Sequence, residues 1–329
     1  MKIAIIGGGW VGCHLACKLK KEHHVTLFDK NDELFKETSY NNQNRLHYGF
    51  HYARNFKTRE LCKNTFSQFL EEYGFLTEKI EKNFYAVPDT SNIDFSTYLQ
   101  IFENFQHIIS PTKLKNVNEY GIEVEERYIN FKLAHKFFNQ ELTNIFVQEN
   151  ITSKRIKELS SNYDLVINAT NNQIRNYISD NFYELTLSLI YNRKMKTDFG
   201  ALTLVDGNFF SIYPYSDNLF TLTDVEHTPL KKFKKIDSLK IFEKKIDEQF
   251  ILDKRDLFEN KVKFYFPEFS EHFEYESYFL SVKSKLKSSS DERYPQVLKE
   301  GNIVNCFTGK IQGIFIIEEM IKKIIKQYA

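Results

Sequence analysis

Three glycines near the start of the chain have the spacing of a turn that holds a dinucleotide. Gly7, Gly9 and Gly12 fit the pattern G-x-G-x-x-G and follow an apolar run at residues 3–6. The first glycine allows a tight turn, the second lets the backbone approach a diphosphate, and the third lets a helix pack on the strand. Residues 11–21 are predicted to form that helix, whose free N–H groups and positive dipole end would bind the phosphates.

The segment after this helix supplies an acidic residue where a nucleotide ribose would need one. Residues 25–28 are predicted to form a second buried strand, and Asp29 follows at its carboxyl end. The order strand, glycine turn, helix, strand and acid is the βαβ unit of a dinucleotide-binding domain. Asp29 suits the ribose of NAD or of FAD, so this unit leaves both cofactors open.

Composition and cysteine content exclude several other classes of protein. The 329 residues include 45 Lys or Arg and 44 Asp or Glu, without the basic excess of nucleic-acid binders. No apolar run reaches the ~20 residues that cross a bilayer, so no integral membrane segment is expected. The four cysteines form no Cys-x-x-Cys pair and no metal cluster is evident, so we expect a reduced, cytoplasmic, metal-free chain.

The remaining pattern predicts a divided nucleotide-binding domain. Buried-strand runs at residues 145–148, 165–170 and 303–307 resemble the first unit, whereas residues 185–282 are β-rich. We therefore predict an α/β fold, in which a Rossmann-like domain is interrupted by an inserted β-rich (α+β) substrate domain. The expected Rossmann-like domain comprises residues 1–50, 131–182 and 295–329, and the expected substrate domain comprises residues 51–130 and 183–294. Other predicted helices cover residues 57–73, 95–105, 131–144, 234–257 and 315–326.

This layout resembles the FAD-dependent oxidoreductases of the D-amino-acid oxidase and glycine oxidase type. The segment Thr38-Ser39-x5-Arg45 is similar to the family's loop that crosses the flavin. Residues 164–170, Asp-Leu-Val-Ile-Asn-Ala-Thr, resemble the family's strand beside FAD, and Gly309 before the last helix resembles the glycine that lies against the flavin ring. An NAD domain would not need to return at the carboxyl terminus, so the resemblance favours FAD.

The resemblance implies that FAD is bound non-covalently by residues from both ends of the chain. Asn171 departs from it, because the family usually has glycine there, and Arg293 lacks the proline that usually follows. Lys310 could place positive charge beside the flavin, or it could be an exposed turn residue. The residues expected to contact FAD are Gly7, Gly9, Trp10, Val11, Gly12, Asp29, Lys30, Ser39, Asn44, Arg45, Leu46, Val147, Ala169, Thr170, Gly309, Lys310, Ile311 and Gln312.

Two arginines and two histidines are the candidate catalytic residues. Arg45 and Arg293 are planar donors suited to a carboxylate or a phosphate, and the resemblance implies that an arginine near position 293 clamps a substrate carboxylate. His47 and His51 would line the flavin pocket, carry protons near neutral pH, or serve the structure only. The candidate substrate-binding residues are Tyr48, Tyr213 and Tyr215, for which packing in the core is the alternative.

Together these features predict an FAD-dependent oxidoreductase. It would oxidise a C–N or C–O bond of a small polar substrate, expected to carry a carboxylate, by hydride transfer to the flavin. Oxygen or an electron acceptor would reoxidise the flavin, and the oligomeric state is left open.

Two other functions remain open. Residues 47–51, His-Tyr-Gly-Phe-His, also resemble a stretch of flavin-dependent UDP-galactopyranose mutases. That resemblance implies an enzyme that modifies a sugar nucleotide for surface polysaccharide synthesis, with the arginines on a diphosphate. A nucleotide-binding sensor without turnover is the third possibility.

Overall fold

The computed structural model describes residues 1–174, 181–286 and 294–328. The chain divides into two compact units. Unit 1 comprises Met1–Asn41, Phe131–Tyr183 and Lys283–Ala329, and unit 2 comprises Asn42–Asn130 and Glu184–Val282.

The helices within the described residues are numbered in chain order. They are α1 (Trp10–Leu19), α2 (Phe56–Tyr73), α3 (Phe95–Ile101), α4 (Phe131–Glu141), α5 (Ser153–Asn162), α6 (Ile236–Glu243), α7 (Glu248–Tyr265), α8 (Phe269–His272) and α9 (Ile314–Ile325). Short 3-10 helices cover Gly74–Leu76 and Ile311–Gly313. Within the same residues, no helix is both long and apolar enough to cross a membrane.

The strands are numbered in the same way. They are β1 (Lys2–Ile6), β2 (His24–Asp29), β3 (Arg45–Leu46), β4 (Thr77–Lys79), β5 (Asn83–Ala86), β6 (Ile108–Pro111), β7 (Tyr120–Val124), β8 (Arg127–Ile129), β9 (Phe146–Gln148), β10 (Leu165–Asn168), β11 (Asn181–Arg193), β12 (Ala201–Leu204), β13 (Phe210–Ser216), β14 (Leu219–Asp224), β15 (Pro229–Phe233), β16 (Phe273–Leu286), β17 (Gln296–Glu300) and β18 (Ile303–Phe307).

Unit 1 contains a six-stranded sheet with the order β17-β18-β10-β1-β2-β9. Strand β1 pairs in parallel with β2 on one side and with β10 on the other, and β18 continues the parallel arrangement beside β10. Parallel strands are buried on both faces, which explains the continuous apolar runs in β1, β10 and β18. The connection from β1 leads through α1 to β2, away from β10, so the strand order reverses between β1 and β10. Ligands of such sheets bind beyond the carboxyl ends of the strands at this reversal.

Unit 2 is built mainly of antiparallel strands. Its large sheet has the order β15-β11-β14-β13-β12-β5-β7-β6, with β16 paired to β11, and a small sheet has the order β3-β8-β4. Helix α7 packs Phe258 and Val262 against Leu202, Ile212 and other buried side chains of the large sheet. The α/β fold with a second, β-rich region therefore agrees with the sequence prediction.

The limits of the units differ from the expected domain limits at residues 42–50, and also at the last boundary, where unit 1 resumes at Lys283 instead of residue 295. The sequence placed residues 42–50 with residues 1–41, but they cluster with unit 2. The reason is that β3 pairs with β8, with Arg45 opposite Tyr128, and that Gln43 donates a hydrogen bond to Thr221. The assignment of unit 1 to the cofactor and of unit 2 to the substrate remains a proposal.

Local capping signals explain where the predicted helices differ from the observed ones. Residues 234–257 are mostly helical, as predicted, but they belong to two helices, because Asp247 accepts a hydrogen bond from the Phe250 N–H and starts the separate helix α7. The sequence missed α5, which is capped by Thr152 through the Arg155 N–H. Side-chain oxygens that accept from a backbone N–H three residues on are common N-terminal caps.

Candidate functional site

The glycine turn of unit 1 leaves no space for side chains at two of its positions. Gly7 has a φ of +106°, and a Cβ atom there would lie 2.9 Å from the carbonyl oxygen of Ala169. A Cβ atom on Gly12 would lie 1.8 Å from the carbonyl oxygen of Gly7. Glycine is therefore required at both positions, and the start of α1 lies directly against the end of β1.

The first turn of α1 presents backbone donors beside this turn. Gly9 precedes the helix and has no side chain to cap it. The hydroxyl oxygen of Ser39 accepts the Trp10 N–H at 3.0 Å, and a Cβ atom on Gly9 would lie 2.8 Å from that oxygen. The Trp10 ring itself packs edge-on against Phe35 and Phe138. The backbone of Trp10 thus lies at the glycine turn, whereas its side chain is packed in the core.

Asp29 at the end of β2 faces the glycine turn. Its Oδ2 accepts the Gly8 N–H at 2.6 Å, and its Oδ1 accepts the backbone and side-chain N–H groups of Asn31 at 2.9 and 3.0 Å. These bonds hold the carboxylate in place, and Oδ2, which accepts one of them, retains a lone pair for a ribose hydroxyl. The neighbouring Lys30 forms an ion pair with Glu37 at 2.6 Å.

A pair of buried asparagines joins the ends of β10 and β18. Asn168 Nδ2 donates to Asn305 Oδ1 at 2.9 Å, and Asn168 Oδ1 accepts from the hydroxyl and the backbone N–H of Thr170. The Nδ2 atom of Asn305 is buried and has no partner within the described residues. The sequence prediction included Ala169 and Thr170 but missed Asn305, because its only signal is a polar residue within an apolar strand.

The turn between β18 and α9 is closed by Thr308. Its hydroxyl donates to the carbonyl oxygen of Lys310 at 2.7 Å and accepts the Lys310 N–H at 3.3 Å. A Cβ atom on Gly313 would lie 2.2 Å from the Thr308 hydroxyl oxygen, so glycine is required there as well. Gly309 and Ile311 are partly buried in this turn, and Gln312 is fully buried.

Val147, in β9 at the sheet edge, is 41% exposed.

Unit 2 contains a buried arginine that is surrounded by hydroxyl groups. Arg45 donates from Nη1 to Ser211 at 3.0 Å, and from Nη2 to Tyr85 at 3.0 Å and to Thr203 at 3.1 Å. Its guanidinium lies 4.2 Å above the centre of the Tyr213 ring. Its Nε atom is buried and has no partner within the described residues. No described carboxylate lies within ion-pair distance of Arg45.

A buried glutamate compensates the arginine indirectly. Glu126 is 1% exposed and accepts hydrogen bonds from the Tyr48 N–H at 2.8 Å, from Asn83 at 2.7 Å and from the Tyr85 hydroxyl at 2.7 Å. Burial raises the pKa of Glu126, and the Arg45 charge and the three donors oppose that rise. Burial also raises the pKa of Tyr85, so its hydroxyl stays protonated, accepts from Arg45 and donates to Glu126. We call Arg45, Tyr85 and Glu126 the arginine relay.

The two candidate histidines lie side by side. The ring centres of His47 and His51 are 4.4 Å apart, and the His51 ring is 4.2 Å from that of Tyr52. Gly49 between them has a φ of +93°, so the segment turns instead of forming a helix. Within the described residues, no group of three or more His, Cys, Asp or Glu side chains could hold a metal ion. A catalytic role for this pair remains a prediction.

The candidate tyrosines are packed among aromatic neighbours. Tyr48 stacks on Phe66 at 3.8 Å, and Tyr215 stacks on Phe279 at 5.5 Å. Tyr213 donates its hydroxyl to the Arg127 carbonyl oxygen at 3.1 Å.

Three other candidate residues are Asn44, Leu46 and Arg293. Asn44 and Leu46 are buried beside Arg45, and Asn44 has a φ of +51°. Arg293 lies outside the described residues.

Comparison with known proteins identifies the family. Residues 2–101 match the family described as FAD dependent oxidoreductase, DAO. An FAD-dependent monooxygenase of Fusarium mangiferae is 34% identical over 337 residues, which cover 98% of this chain and 90% of the relative. This chain belongs to the DAO family of FAD-dependent oxidoreductases. FAD is its cofactor, which agrees with the glycine turn, the helix that follows it and the acid of unit 1.

Solved structures of flavoenzymes have the same fold. Glycine oxidase from Geobacillus kaustophilus has a TM-score of 0.71 at 11% identity, covering 99% of this chain and 94% of that chain. L-α-Glycerophosphate oxidase from Mycoplasma pneumoniae, solved with FAD bound, has a TM-score of 0.67 at 14% identity and covers 97% and 92%. At such identities the similarity shows the fold alone.

Proposed function

We propose that this DAO-family enzyme oxidises a C–N or C–O bond of a small polar substrate that carries an anionic group. FAD, when bound, supplies the two-electron redox chemistry, and the protein holds and orients the reactants. The glycine turn of unit 1 carries the cofactor part of the proposal. Gly7, Gly9 and Gly12 shape the turn for a diphosphate, the start of α1 donates N–H groups to it, and Asp29 binds the adenosine ribose.

The arginine relay supports an anionic substrate. A buried charge is costly unless it is paired, and the described partners of Arg45 are neutral hydroxyl groups. Three of its five N–H donors are used by these hydroxyls, which leaves the Nε–H and one Nη1–H. A substrate carboxylate would supply the direct negative partner that the fold does not provide. The substrate-clamping role of Arg293 stays a prediction from the family resemblance.

A second candidate function is monooxygenation. It is favoured by the Fusarium mangiferae relative, which is named an FAD-dependent monooxygenase and is similar over nearly the whole chain. A monooxygenase transfers one atom of O2 to its substrate and reduces the other to water, so it also needs a two-electron donor such as NADH or NADPH. The oxidase and the monooxygenase therefore differ in what reduces the flavin.

Anaerobic reduction of the flavin separates these functions. The purified holoenzyme is mixed without oxygen with D-amino acids, N-methyl amino acids, 2-hydroxy acids or glycerol 3-phosphate, and flavin absorbance is recorded. Bleaching by one of these substrates alone supports the proposal. Bleaching only by NADH or NADPH, with oxygen then required for product, would establish the monooxygenase instead. Conversion of a sugar nucleotide only by pre-reduced enzyme, without consumption of an oxidant, would establish the mutase alternative.

Uncharged analogues test the anionic group of the substrate. The amide of a reactive carboxylate substrate has nearly the same shape but lacks the charge that Arg45 would bind. Loss of a charge-assisted hydrogen bond costs about 1.5–3 kcal/mol, so the amide should need about 10- to 100-fold higher concentration for half-maximal bleaching. Equal concentrations for acid and amide would contradict the anion-binding role.

A further inference from the structure

The first and last helices of unit 1 are joined by a buried hydrogen bond between two side chains. His14 on α1 is fully buried, and its Nε2 lies 2.8 Å from Oε2 of Glu318 on α9. The other oxygen of Glu318 lies 2.6 Å from Lys322 Nζ, and the Phe315 ring packs edge-on against His14 at 5.2 Å. His14 and Glu318 are thus in contact although they are 304 positions apart in the sequence. Both carboxylate oxygens of Glu318 have a partner.

The Glu318 carboxylate is ionised over the whole physiological range. Burial acts to raise its pKa, but hydrogen bonds and charges from His14 and Lys322 outweigh that effect and lower the pKa to about 2. Removing His14 would leave the charge of the Glu318 carboxylate without its buried partner. The pair therefore holds the two helices at a defined relative position instead of merely filling space.

The pair lies at the same height on both helices. His14 is four residues after the first residue of α1, and Glu318 is four residues after the first residue of α9. Strands β1 and β18 both run parallel to β10, so both helices start at the carboxyl edge of the sheet. The His14–Glu318 contact consequently fixes the start of α9 relative to the start of α1.

Both helix starts are suited to negative charge. Gly9 precedes α1, and the 3-10 helix Ile311–Gly313 leads directly into α9, with the Ile314 N–H donating to the Ile311 carbonyl oxygen. Neither Gly9 nor Gly313 supplies a side-chain cap to its helix. Each start carries about half a positive charge from the helix dipole. No side chain fits at Gly12 or Gly313, which lie at these two helix starts. A Cβ atom on Gly12 would clash with the Gly7 carbonyl oxygen, and a Cβ atom on Gly313 would clash with the Thr308 hydroxyl.

The strand order sets the direction in which a bound dinucleotide extends. Asp29 on β2 marks the adenosine side, and the glycine turn after β1 marks the diphosphate. The sheet continues from β1 to β10 and then to β18, on the side away from β2. The flavin half of FAD would therefore extend over the ends of β10 and β18, toward the start of α9.

We propose that His14 and Glu318 are positioning residues that align the positive ends of α1 and α9 on one bound FAD. The start of α1 acts on the diphosphate, and the start of α9 acts on the flavin, whose reduced form carries more negative charge than the oxidised form. The proposal rests on the proposed FAD site of unit 1. It assigns a cofactor role to two helix residues that lie outside the G-x-G-x-x-G pattern.

The test compares two substitutions of His14 in the FAD-loaded protein. His14→Phe fills the space but removes the N–H donor, whereas His14→Gln retains a donor for Glu318. We expect His14→Phe to weaken FAD binding about tenfold, measured by equilibrium dialysis. We also expect the affinity ratio of reduced over oxidised FAD to fall about tenfold, which lowers the two-electron midpoint potential by about 30 mV in a dye-coupled titration. His14→Gln should restore most of both values.

Two further variants keep the outcome decisive. Glu318→Gln preserves size and should reproduce the loss of FAD affinity if His14→Phe does not fold. Lys20→Met removes the exposed Lys20–Glu141 ion pair after α1, and should leave the FAD affinity and the potential unchanged. If the His14 and Glu318 variants lose thermal stability but keep the wild-type FAD affinity and potential, the pair is structural only and the proposal is overturned. A wild-type protein that binds no FAD would contradict the proposed cofactor site itself.

Discussion

The glycine turn of unit 1 and the arginine relay of unit 2 are built from different parts of the polypeptide. In the glycine turn, the groups proposed to bind the diphosphate are backbone N–H groups, and four of residues 7–12 are glycines without side chains. In the relay, buried side chains from β3, β5 and the residue before β8 compensate one another. The turn is formed mainly by residues 7–12, whereas the relay joins residues 45, 85 and 126.

This difference determines how each region responds to substitution. A site formed by the backbone is disrupted when a glycine gains a side chain, because the close contact between Gly12 and Gly7 cannot relax without moving α1. A side-chain cluster fails when an atom is removed, because a buried donor or charge loses its partner. Substitutions in the two regions test this contrast, and their expected effects range from a large loss of FAD affinity to a small loss of stability.

The largest effect is expected for Gly12→Ala. The new methyl group would lie 1.8 Å from the Gly7 carbonyl oxygen, so the start of α1 must move away from the turn. We expect FAD affinity to fall by about 100-fold or more, which corresponds to roughly 3 kcal/mol. Gly74→Ala is the matched control, because its nearest neighbour, Leu70 Cβ, would be 4.0 Å away. A Gly12→Ala protein that retains a full complement of FAD would contradict the assignment of the turn.

Glu126→Ala is expected to produce the largest loss of folding stability in unit 2. It leaves Arg45 buried without a compensating charge and removes the acceptor of Tyr48, Asn83 and Tyr85. We expect the free energy of unfolding to fall by about 3–5 kcal/mol, measured by urea denaturation. Glu125→Ala, at the exposed neighbouring position, should change it by less than about 0.5 kcal/mol. Equal effects at the two positions would show that the relay does not stabilise the fold.

Glu318 predicts a pH dependence of the stability of unit 1. Its folded-state pKa of about 2 lies below the ordinary value, so its ionised form stabilises the folded protein. This contribution is complete above the ordinary pKa and is lost as the pH falls toward the folded-state value. Glu318→Gln should therefore cost about 1–2 kcal/mol at neutral pH and progressively less in acid.

The measurement for Glu318 is a series of urea denaturations between neutral pH and pH 3. Glu319→Gln, at the exposed adjacent position, provides the control and should follow the wild-type curve. A constant difference between Glu318→Gln and the wild type at every pH would exclude a titrating contribution from this carboxylate.

The smallest effect is expected for Ser39→Ala. Its hydroxyl oxygen accepts the Trp10 N–H at the start of α1, as a capping side chain does. We expect a loss of about 0.5–1 kcal/mol in thermal unfolding and a few-fold weaker FAD binding. Ser160→Ala is the control, because the Ser160 hydroxyl only donates to the Lys157 carbonyl oxygen within α5. It should change neither quantity. A loss of FAD as severe as that of Gly12→Ala would mean that side chains, and not the backbone, form the site.

Much of the cofactor region could be predicted from the sequence because its information is local. The strand, glycine turn, helix and acid lie within residues 2–29, and each has a signature in residue type and spacing. The α/β fold was correctly predicted for the same reason, whereas the correct choice of FAD over NAD depended on the family resemblance of distant segments. The resemblance at residues 164–170 and 303–313 extended that prediction to distant strands.

The arginine relay could not be predicted in this way. Arg45 was a candidate, but Tyr85, Glu126, Thr203 and Ser211 have no common spacing, and each has the appearance of an ordinary strand residue. Only the pairing of β3 with β8, and of β5 with β12, brings their side chains together. The same applies to His14 and Glu318, which are ordinary helix positions until the sheet places α1 beside α9.

The sequence by itself therefore determined the fold class and the glycine turn, because short-range sterics and backbone conformation specify them, and its resemblance to a family indicated the cofactor. The tertiary structure alone decided which charges are buried and what compensates them, because burial and pairing depend on contacts between residues far apart in the chain.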